Sequence, residues 1–184
     1  MIIGITGTLG AGKGTVVKYL VDQKNFTHIS ARSFFQELME KEGIPIDRDN
    51  MTVFANQLRS SHGPDYVFNQ LFKKAEAVDG NVIIESLRTI AEAESLKSYP
   101  NSYLLAVDAD QKLRYDRIHG RGSVLDHVSY DKFAAQEEKE MHGTEPYQQN
   151  ITAVMKLADV TIYNDHNPAD LFKEVEKFLG TVSN

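Results

Sequence analysis

A glycine-rich loop between an apolar run and a helical pattern constrains this chain more than any other feature. Residues 2–5 (IIGI) predict a short buried strand, and residues 7–15 (GTLGAGKGT) follow it closely. After the loop, apolar residues recur at helical spacing at positions 16, 17, 20 and 21. A strand, a glycine loop and a helix in this order are the context of a phosphate-binding P-loop.

The chemistry of such a loop follows from its glycines and its lysine. Glycines let the backbone curl so that successive N–H groups point at one anion, and the next helix presents its unpaired N–H groups to the same anion. Lys13 can reach the β- and γ-phosphates of a nucleotide, so we expect it to be catalytic. The predicted nucleotide-binding residues are Gly10, Ala11, Gly12, Lys13, Gly14 and Thr15.

The residue after the lysine departs from the common pattern, in which a Ser or Thr hydroxyl binds Mg²⁺. Here Gly14 follows Lys13 and Thr15 comes next. Thr15 is therefore a candidate metal ligand, either directly or through water. Glu85 ends the third predicted strand, the usual place for an acid that contacts Mg²⁺ or its waters. A carboxylate that caps the following helix would occupy the same position, and both interpretations stay open.

The rest of the chain alternates short apolar runs with helical patterns. The predicted strands cover residues 2–5, 26–30, 82–84, 103–107 and 160–163. Five such strands separated by helices predict a parallel sheet covered on both faces, which is a three-layer α/β/α fold. The length of 184 residues predicts a single domain, residues 1–184. Ligands of such sheets bind at the carboxyl ends of the strands, so candidate site residues follow each strand.

Composition limits the partners of this domain. The net charge is −6, and an acidic surface does not favour nucleic acid or an anionic membrane. We therefore expect small-molecule substrates bound by a local basic cluster. The sequence has no cysteine, which excludes disulfides and thiolate metal sites. No apolar run approaches membrane-spanning length and the first predicted strand begins at residue 2, so we expect a cytoplasmic protein without a targeting segment.

Several motifs resemble known kinases. The GKGT ending of the loop resembles adenylate kinases and their relatives, and residues 63–65 (GPD) are similar to a motif of phage deoxynucleoside monophosphate kinases. Residues 158–165 resemble the last strand and loop of dephospho-CoA kinases. The chain is thus similar to P-loop kinases of the nucleoside monophosphate kinase group. The resemblance implies a nucleotide kinase-like P-loop NTPase fold, with ATP and Mg²⁺ as cofactors.

The same resemblance implies an acceptor site. In this group an arginine just after the third strand grips the acceptor phosphate, which points to Arg88 as a catalytic and substrate-binding residue. A helical insert at about residues 31–79 is the candidate acceptor-binding segment. Taken singly, Arg59 is typical of a solvent-exposed helix end. The candidate substrate-binding residues are Arg32, Arg59, Glu85 and Arg88.

A lid is implied further along the chain. Arg114, Arg117 and Arg121 recur at spacings of three and four, and an arginine face before a glycine-flanked loop resembles the lid of this kinase class. The lid-like segment covers about residues 114–143, with Arg117 and Arg121 as catalytic candidates. The alternative is a salt-bridged face that involves Asp110 or Asp116. In the dephospho-CoA kinase family the last loop lies near the donor adenine, which places Asn164 beside the base.

Three functions are compatible with these motifs. The leading hypothesis is phosphoryl transfer from ATP to a nucleoside or deoxynucleoside monophosphate. Dephospho-CoA kinase is the alternative, but transfer to a hydroxyl is helped by a carboxylate, and residues 30–33 (SARS) after the second strand offer none. A nucleotide-binding regulator without an acceptor would need a guanine-reading motif such as Asn-Lys-x-Asp, which is absent from the sequence, and would leave the arginines unexplained.

Overall fold

A parallel sheet between two layers of helices forms the framework of the protein. The computed structural model describes residues 1–120 and 128–182. The strands are β1 (Ile2–Gly7), β2 (Thr27–Ser30), β3 (Val82–Glu85), β4 (Ser102–Asp108) and β5 (Val160–Tyr163). The predicted five-stranded parallel sheet and the three-layer P-loop NTPase fold are therefore confirmed.

Helices connect the strands and cover both faces of the sheet. The described helices are α1 (Lys13–Lys24), α2 (Ala31–Glu42), α3 (Arg48–His62), α4 (Tyr66–Glu76), α5 (Ile90–Lys97), α6 (Gln111–Gly120), α7 (Tyr130–Met141), α8 (Ile151–Lys156) and α9 (Pro168–Val182). Among these helices, none combines the length and the apolar character that a bilayer crossing requires.

The strand order makes β1 the central strand, so the glycine loop that follows it lies in the middle of the carboxyl ends of the sheet. The order is β2-β3-β1-β4-β5, and all neighbouring strands pair in parallel. Ile5 of β1 is in register with Glu85 of β3 on one side and with Leu105 of β4 on the other. The loop after β1 is therefore flanked by the carboxyl ends of β3 and β4, where parallel sheets bind their ligands.

Alternation along the strands separates two hydrophobic cores. Ile84 and Leu104 pack into the core under α2 to α5 and α8, whereas Ile83 and Leu105 pack on the opposite face under α1 and α9. All four side chains are inaccessible to solvent. Because successive strand residues point to opposite faces, a strand buried on both sides is apolar throughout.

Two of the element boundaries that differ from the sequence prediction have a clear local cause. Asp47 caps α3, and its carboxylate accepts from the Asn50 backbone N–H at 2.8 Å. Arg48 is therefore the first residue of α3. Phe26 lies outside β2 because its N–H donates to Leu20 of α1 at 3.2 Å instead of joining the sheet.

Candidate active site

The glycine loop is held from behind by the end of β5. Gly12 precedes α1 with a φ of +103°, and a Cβ at this position would lie 2.4 Å from Asn164 Nδ2. The Asn164 side chain is buried and donates from Nδ2 to the Ala11 carbonyl at 2.8 Å. Only glycine fits this combination of backbone conformation and close contact. Asn164 thus supports the loop backbone, and its predicted contact with a donor adenine stays a prediction.

Lys13 is folded back onto the loop. Its Nζ donates to the carbonyls of Gly7 at 2.8 Å and Thr8 at 2.7 Å. Burial, reinforced by the nearby Arg88 guanidinium, lowers the pKa of Lys13 to about 7. The two hydrogen-bond partners are neutral carbonyls, so a bound polyanion would supply the counter-charge that the ammonium lacks.

Arg114 clamps the loop to the neighbouring helices. It is buried, donates from Nε to the Ala109 carbonyl at 2.7 Å and from Nη1 to the Leu9 carbonyl at 3.1 Å, and pairs with Glu137 of α7. The alternative of a salt-bridged arginine therefore applies to this residue, although its main carboxylate partner is Glu137 and not Asp110 or Asp116. The Arg114 contacts fix the loop and α7 relative to one another.

A cavity of about 310 Å³ extends from the glycine loop to α2 and α3. Four arginines from three segments, α2, α3 and the segment after β3, line it together with Lys13. These residues, which we call the arginine cluster, are Arg32, Arg48, Arg59 and Arg88. Three of them were predicted as substrate-binding residues, and the structure brings those three into one cavity. This concentration of positive charge lies in a protein whose net charge is −6.

Arg88 and Arg48 share one carboxylate. Arg88 donates from Nη1 to Glu140 Oε2 at 2.9 Å and to Gln149 Oε1 at 2.7 Å. Arg48 donates from Nη2 to the other oxygen of Glu140, Oε1, at 2.8 Å. Burial acts to raise the pKa of Glu140, but the two arginines outweigh it and hold the pKa below its usual value. Glu140 is therefore a charged group inside the arginine cluster.

Arg59 is buried, in contrast to the solvent position that is typical of a helix end. Its side chain is 1% exposed and donates from Nε to Glu92 Oε1 at 2.8 Å. The other Glu92 oxygen accepts from the Arg88 backbone N–H at 2.7 Å. Glu92 thereby ties Arg59 to the start of the Arg88 segment. The Nη1 atom of Arg59 is buried and has no hydrogen-bond partner within the described part of the chain.

The other predicted arginines have different surroundings. Arg32 is exposed at the start of α2, and its side chain makes no hydrogen bond or ion pair with a described residue. Arg117 lies on α6 and is absent from the described lining of the cavity, and its buried Nη1 has no partner within residues 1–120 and 128–182. Arg121 and the middle of the predicted lid lie outside the described residues. The catalytic roles of Arg117 and Arg121 stay predictions.

Glu85 stands at the end of β3, where the sequence predicted an acid. It lines the cavity, and its Oε2 lies 3.1 Å from His28 Nε2. Burial acts to raise the pKa of Glu85, but His28, Lys13 and Arg88 together hold it below its usual value. The Glu85 carboxylate is therefore charged at neutral pH.

A site for Mg²⁺ would need ligands from the nucleotide. No group of three or more acidic or histidine side chains that could hold a metal occurs among the described residues. Thr15 is exposed in the first turn of α1, and Glu85 lines the cavity beside the loop. A hydroxyl and a carboxylate are hard oxygen ligands that suit Mg²⁺ when phosphates and water complete its octahedron. The predicted pair is compatible with that ion.

Three cavity residues were missed by the sequence analysis. Arg48 is signalled only by its position directly after the helix-capping Asp47. Glu140 belongs to an amphipathic helix rich in charged residues, where a carboxylate is usually solvated. Gln149 lies in the connection before α8 and carries no local signal. Their contacts with the arginines depend on the tertiary fold.

The fold and the loop define a P-loop NTPase with a kinase-like architecture. The AAA domain family AAA_18 matches residues 3–142, which is more than half of the chain. The chain therefore belongs to this family. The matched region contains the glycine loop, all four cavity arginines and Glu140.

Relatives cover the whole chain. A UPF0200 protein of Methanococcus maripaludis strain C7 is 28% identical over 185 residues, which is 98% of this chain and 97% of that protein. A UPF0200 protein of Pyrococcus horikoshii is 28% identical over 188 residues, which is 99% of this chain and 97% of the relative.

Solved structures with the same fold include kinases. TT1252 from Thermus thermophilus is similar with a TM-score of 0.66 at 18% identity, and the match covers 98% of this chain and 97% of that one. Shikimate kinase from Bacteroides thetaiotaomicron is similar with a TM-score of 0.62 at 13% identity, over 100% of this chain and 99% of the enzyme. At these identities the likeness concerns the fold.

Proposed function

We propose that this protein transfers a phosphoryl group from ATP to the phosphate of a nucleoside or deoxynucleoside monophosphate. The observation that carries the proposal is the convergence of four arginines on the cavity that begins at the glycine loop. A phosphate acceptor and the ATP phosphates are both anions, and two polyanions must approach each other for transfer. The arginine cluster supplies the charge that this approach requires.

Arginine is suited to the acceptor end of such a cavity. Its planar guanidinium donates two parallel hydrogen bonds to neighbouring phosphate oxygens and stays charged at any physiological pH. Arg88 and Arg59 are adjacent through Glu92, and Arg88 and Arg48 are adjacent through Glu140. The Glu140 contact joins two guanidinium groups, whereas Glu92 joins the Arg59 guanidinium to the backbone of Arg88, and all three arginines line the same cavity.

In the proposed reaction, different residues of the chain have different roles. The backbone of the glycine loop and the start of α1 bind the donor phosphates, and Lys13 stabilises charge on the transferred group. Arg88, with Arg48 and Arg59, orients the acceptor phosphate in line with the donor. The acceptor oxygen is already anionic, so no side chain has to remove a proton. Mg²⁺ held near Thr15 and Glu85 would neutralise charge on the β- and γ-phosphates.

Transfer to a hydroxyl, as in dephospho-CoA kinase, is the second candidate, and Glu85 is the observation that favours it. Glu85 is a charged carboxylate that lines the cavity close to Lys13, and such a group can accept a hydroxyl proton. The arginine cluster favours the phosphate acceptor, because a hydroxyl acceptor does not by itself need three guanidinium groups.

An ADP-release assay tests both candidates. ATP and Mg²⁺ are supplied with each ribo- and deoxyribonucleoside monophosphate in turn, and with dephospho-CoA. The proposal requires release of ADP that depends on at least one monophosphate and that the Lys13→Ala variant, purified in parallel, does not give. Release with dephospho-CoA and with no monophosphate would replace the proposal by the hydroxyl candidate.

A further inference from the structure

Glu140 occupies the arginine cluster in the way that a bound anion would. Each of its two oxygens accepts one hydrogen bond, Oε1 from Arg48 at 2.8 Å and Oε2 from Arg88 at 2.9 Å. Its side chain is only 12% exposed, so water screens the contacts weakly. Glu140 lies near the C-terminal end of α7, and its partners belong to α3 and to the segment after β3. The helix thus places a carboxylate within the proposed acceptor site.

The cluster has more donors than this carboxylate satisfies. Both Glu140 oxygens are engaged by Arg48 and Arg88. Arg59 lines the same cavity, and its Nη1 is buried without a hydrogen-bond partner among the described residues. A buried guanidinium nitrogen without a partner is costly and calls for an explanation. An anion with three terminal oxygens can present a separate oxygen to each of Arg48, Arg59 and Arg88, whereas a carboxylate has only two oxygens. A phosphate monoester has the required number.

We propose that Glu140 competes with the acceptor phosphate for Arg48 and Arg88, and that the phosphate displaces the Glu140 carboxylate from both arginines. Arg48 and Arg88 are then free to contact the phosphate. That this ligand is the acceptor of the reaction rests on the proposed function. That it is inorganic phosphate or a phosphate monoester follows from the donors in the cluster. Glu140 also disfavours the binding of carboxylate ligands. A singly charged carboxylate would only replace the Glu140 carboxylate at Arg48 and Arg88 and would gain no contact with a third arginine.

Direct binding measurements test the competition. Inorganic phosphate and a nucleoside monophosphate are titrated separately into the protein without ATP, by calorimetry. Glu140→Gln keeps the shape of the side chain and removes its charge, so the dissociation constant for either ligand should fall roughly tenfold, the order expected for a lost buried charge contact. Glu140→Asp keeps the charge but shortens the side chain, so the carboxylate reaches Arg48 and Arg88 less well and phosphate should bind more tightly than to the unaltered protein.

A matched control separates competition from net charge. Glu138→Gln makes the same charge change on the same helix, but the Glu138 side chain is 75% exposed and its ion-pair partner is His142 instead of an arginine. Its phosphate affinity should stay within about twofold of the unaltered protein. Arg48→Ala, made in the Glu140→Gln background, should weaken phosphate binding about tenfold if Arg48 contacts the ligand.

The opposite results would overturn the inference. If Glu140→Gln weakens phosphate binding or leaves it unchanged in a folded protein, Glu140 supports the arginines and does not compete with the ligand. These titrations need no turnover, so they fail independently of the proposed function. If Glu140→Gln binds phosphate more tightly but the protein has no kinase activity, the competition stands and the acceptor role of the phosphate is wrong. If the protein is an active kinase but Glu140→Gln does not bind phosphate more tightly, the proposed function stands and the competition is wrong.

Discussion

The glycine loop, as the proposed donor side, and the arginine cluster, as the proposed acceptor side, would bind the same chemical group by different means. The loop is one continuous segment, residues 7–15, and the donors that it offers to a phosphate are its own backbone N–H groups and Lys13. The cluster takes its arginines from α2, α3 and the segment after β3, and its carboxylates from α5 and α7. The donor side is therefore specified locally, whereas the acceptor side exists only when the chain is folded.

The two regions also differ in how they stabilise positive charge inside the protein. Lys13 has only carbonyl oxygens as hydrogen-bond partners, and its pKa falls to about 7. Arginine cannot give up its proton, and the cluster instead holds its charge against Glu140 and Glu92. α7 touches both regions, since Glu137 pairs with Arg114 behind the loop while Glu140 pairs with the cluster. Changes in each region should therefore differ in size and in pH dependence.

The largest effect is expected from Lys13→Ala. Loss of the only cation built into the loop removes stabilisation of the transferred phosphoryl group, which is worth about 3–4 kcal/mol for one preorganised donor, so kcat should fall at least ~100- to 1,000-fold. Turnover is measured by ADP release, and the fold is checked by thermal melting.

Lys18→Ala is the matched control for that change. Lys18 lies on the same helix, but its side chain is 77% exposed and pairs with Asp22. Its turnover should match that of the unaltered protein. Near-normal turnover of the Lys13→Ala variant would contradict the assignment of the loop as the donor site.

The next effect is a fall in ATP affinity as pH rises above 7. The free protein loses the Lys13 proton near its pKa of about 7, whereas bound phosphates stabilise the ammonium and raise that pKa. Binding therefore takes up a proton above pH 7, and affinity should drop by up to ~10-fold per pH unit between pH 7.5 and 9, with no such drop below pH 7.

Calorimetry in buffers of different ionisation enthalpy measures that uptake. The terminal phosphate of ATP is already deprotonated above pH 7.5, so it does not add to the proton count. A value near one proton at pH 8 would agree with the low pKa of Lys13. A value near zero would mean that Lys13 is charged before ATP binds, and the contrast between the two regions would lose its physical basis.

The difference between the regions explains what the sequence could predict. The five strands are apolar runs between turn residues, and the loop has a motif that depends on adjacent residues, so both were predicted correctly. Glu140 lies 92 positions from Arg48 and 52 from Arg88, and no local pattern links them. Arg59 was predicted as a substrate-binding residue, but its burial was missed for the same reason, because its partner Glu92 lies 33 positions away.

A moderate effect is expected at Arg88. Arg88→Ala should raise the acceptor KM at least ~10-fold, since a hydrogen bond to a charged group contributes roughly 1.5–3 kcal/mol, and the KM for ATP should move much less. Arg88→Lys keeps the charge but loses the planar fork, and should also be impaired. If ATP binding collapses while acceptor affinity is retained, Arg88 serves the donor side.

The smallest effect is expected at Arg32, which tests where the cluster ends. Arg32 lines the same cavity as Arg88, but it is exposed and has no partner among the described residues, so water and salt screen its charge. Arg32→Ala should raise the acceptor KM only ~2- to 3-fold, the range of an exposed ion pair, and the effect should shrink at high salt. Lys41→Ala removes the same charge from the other end of α2, where Lys41 pairs with Glu37, and should leave the KM unchanged. A larger loss for Arg32→Ala than for Arg88→Ala would place the acceptor phosphate at the rim of the cavity, because a half-buried donor that touches the ligand must contribute more than an exposed one.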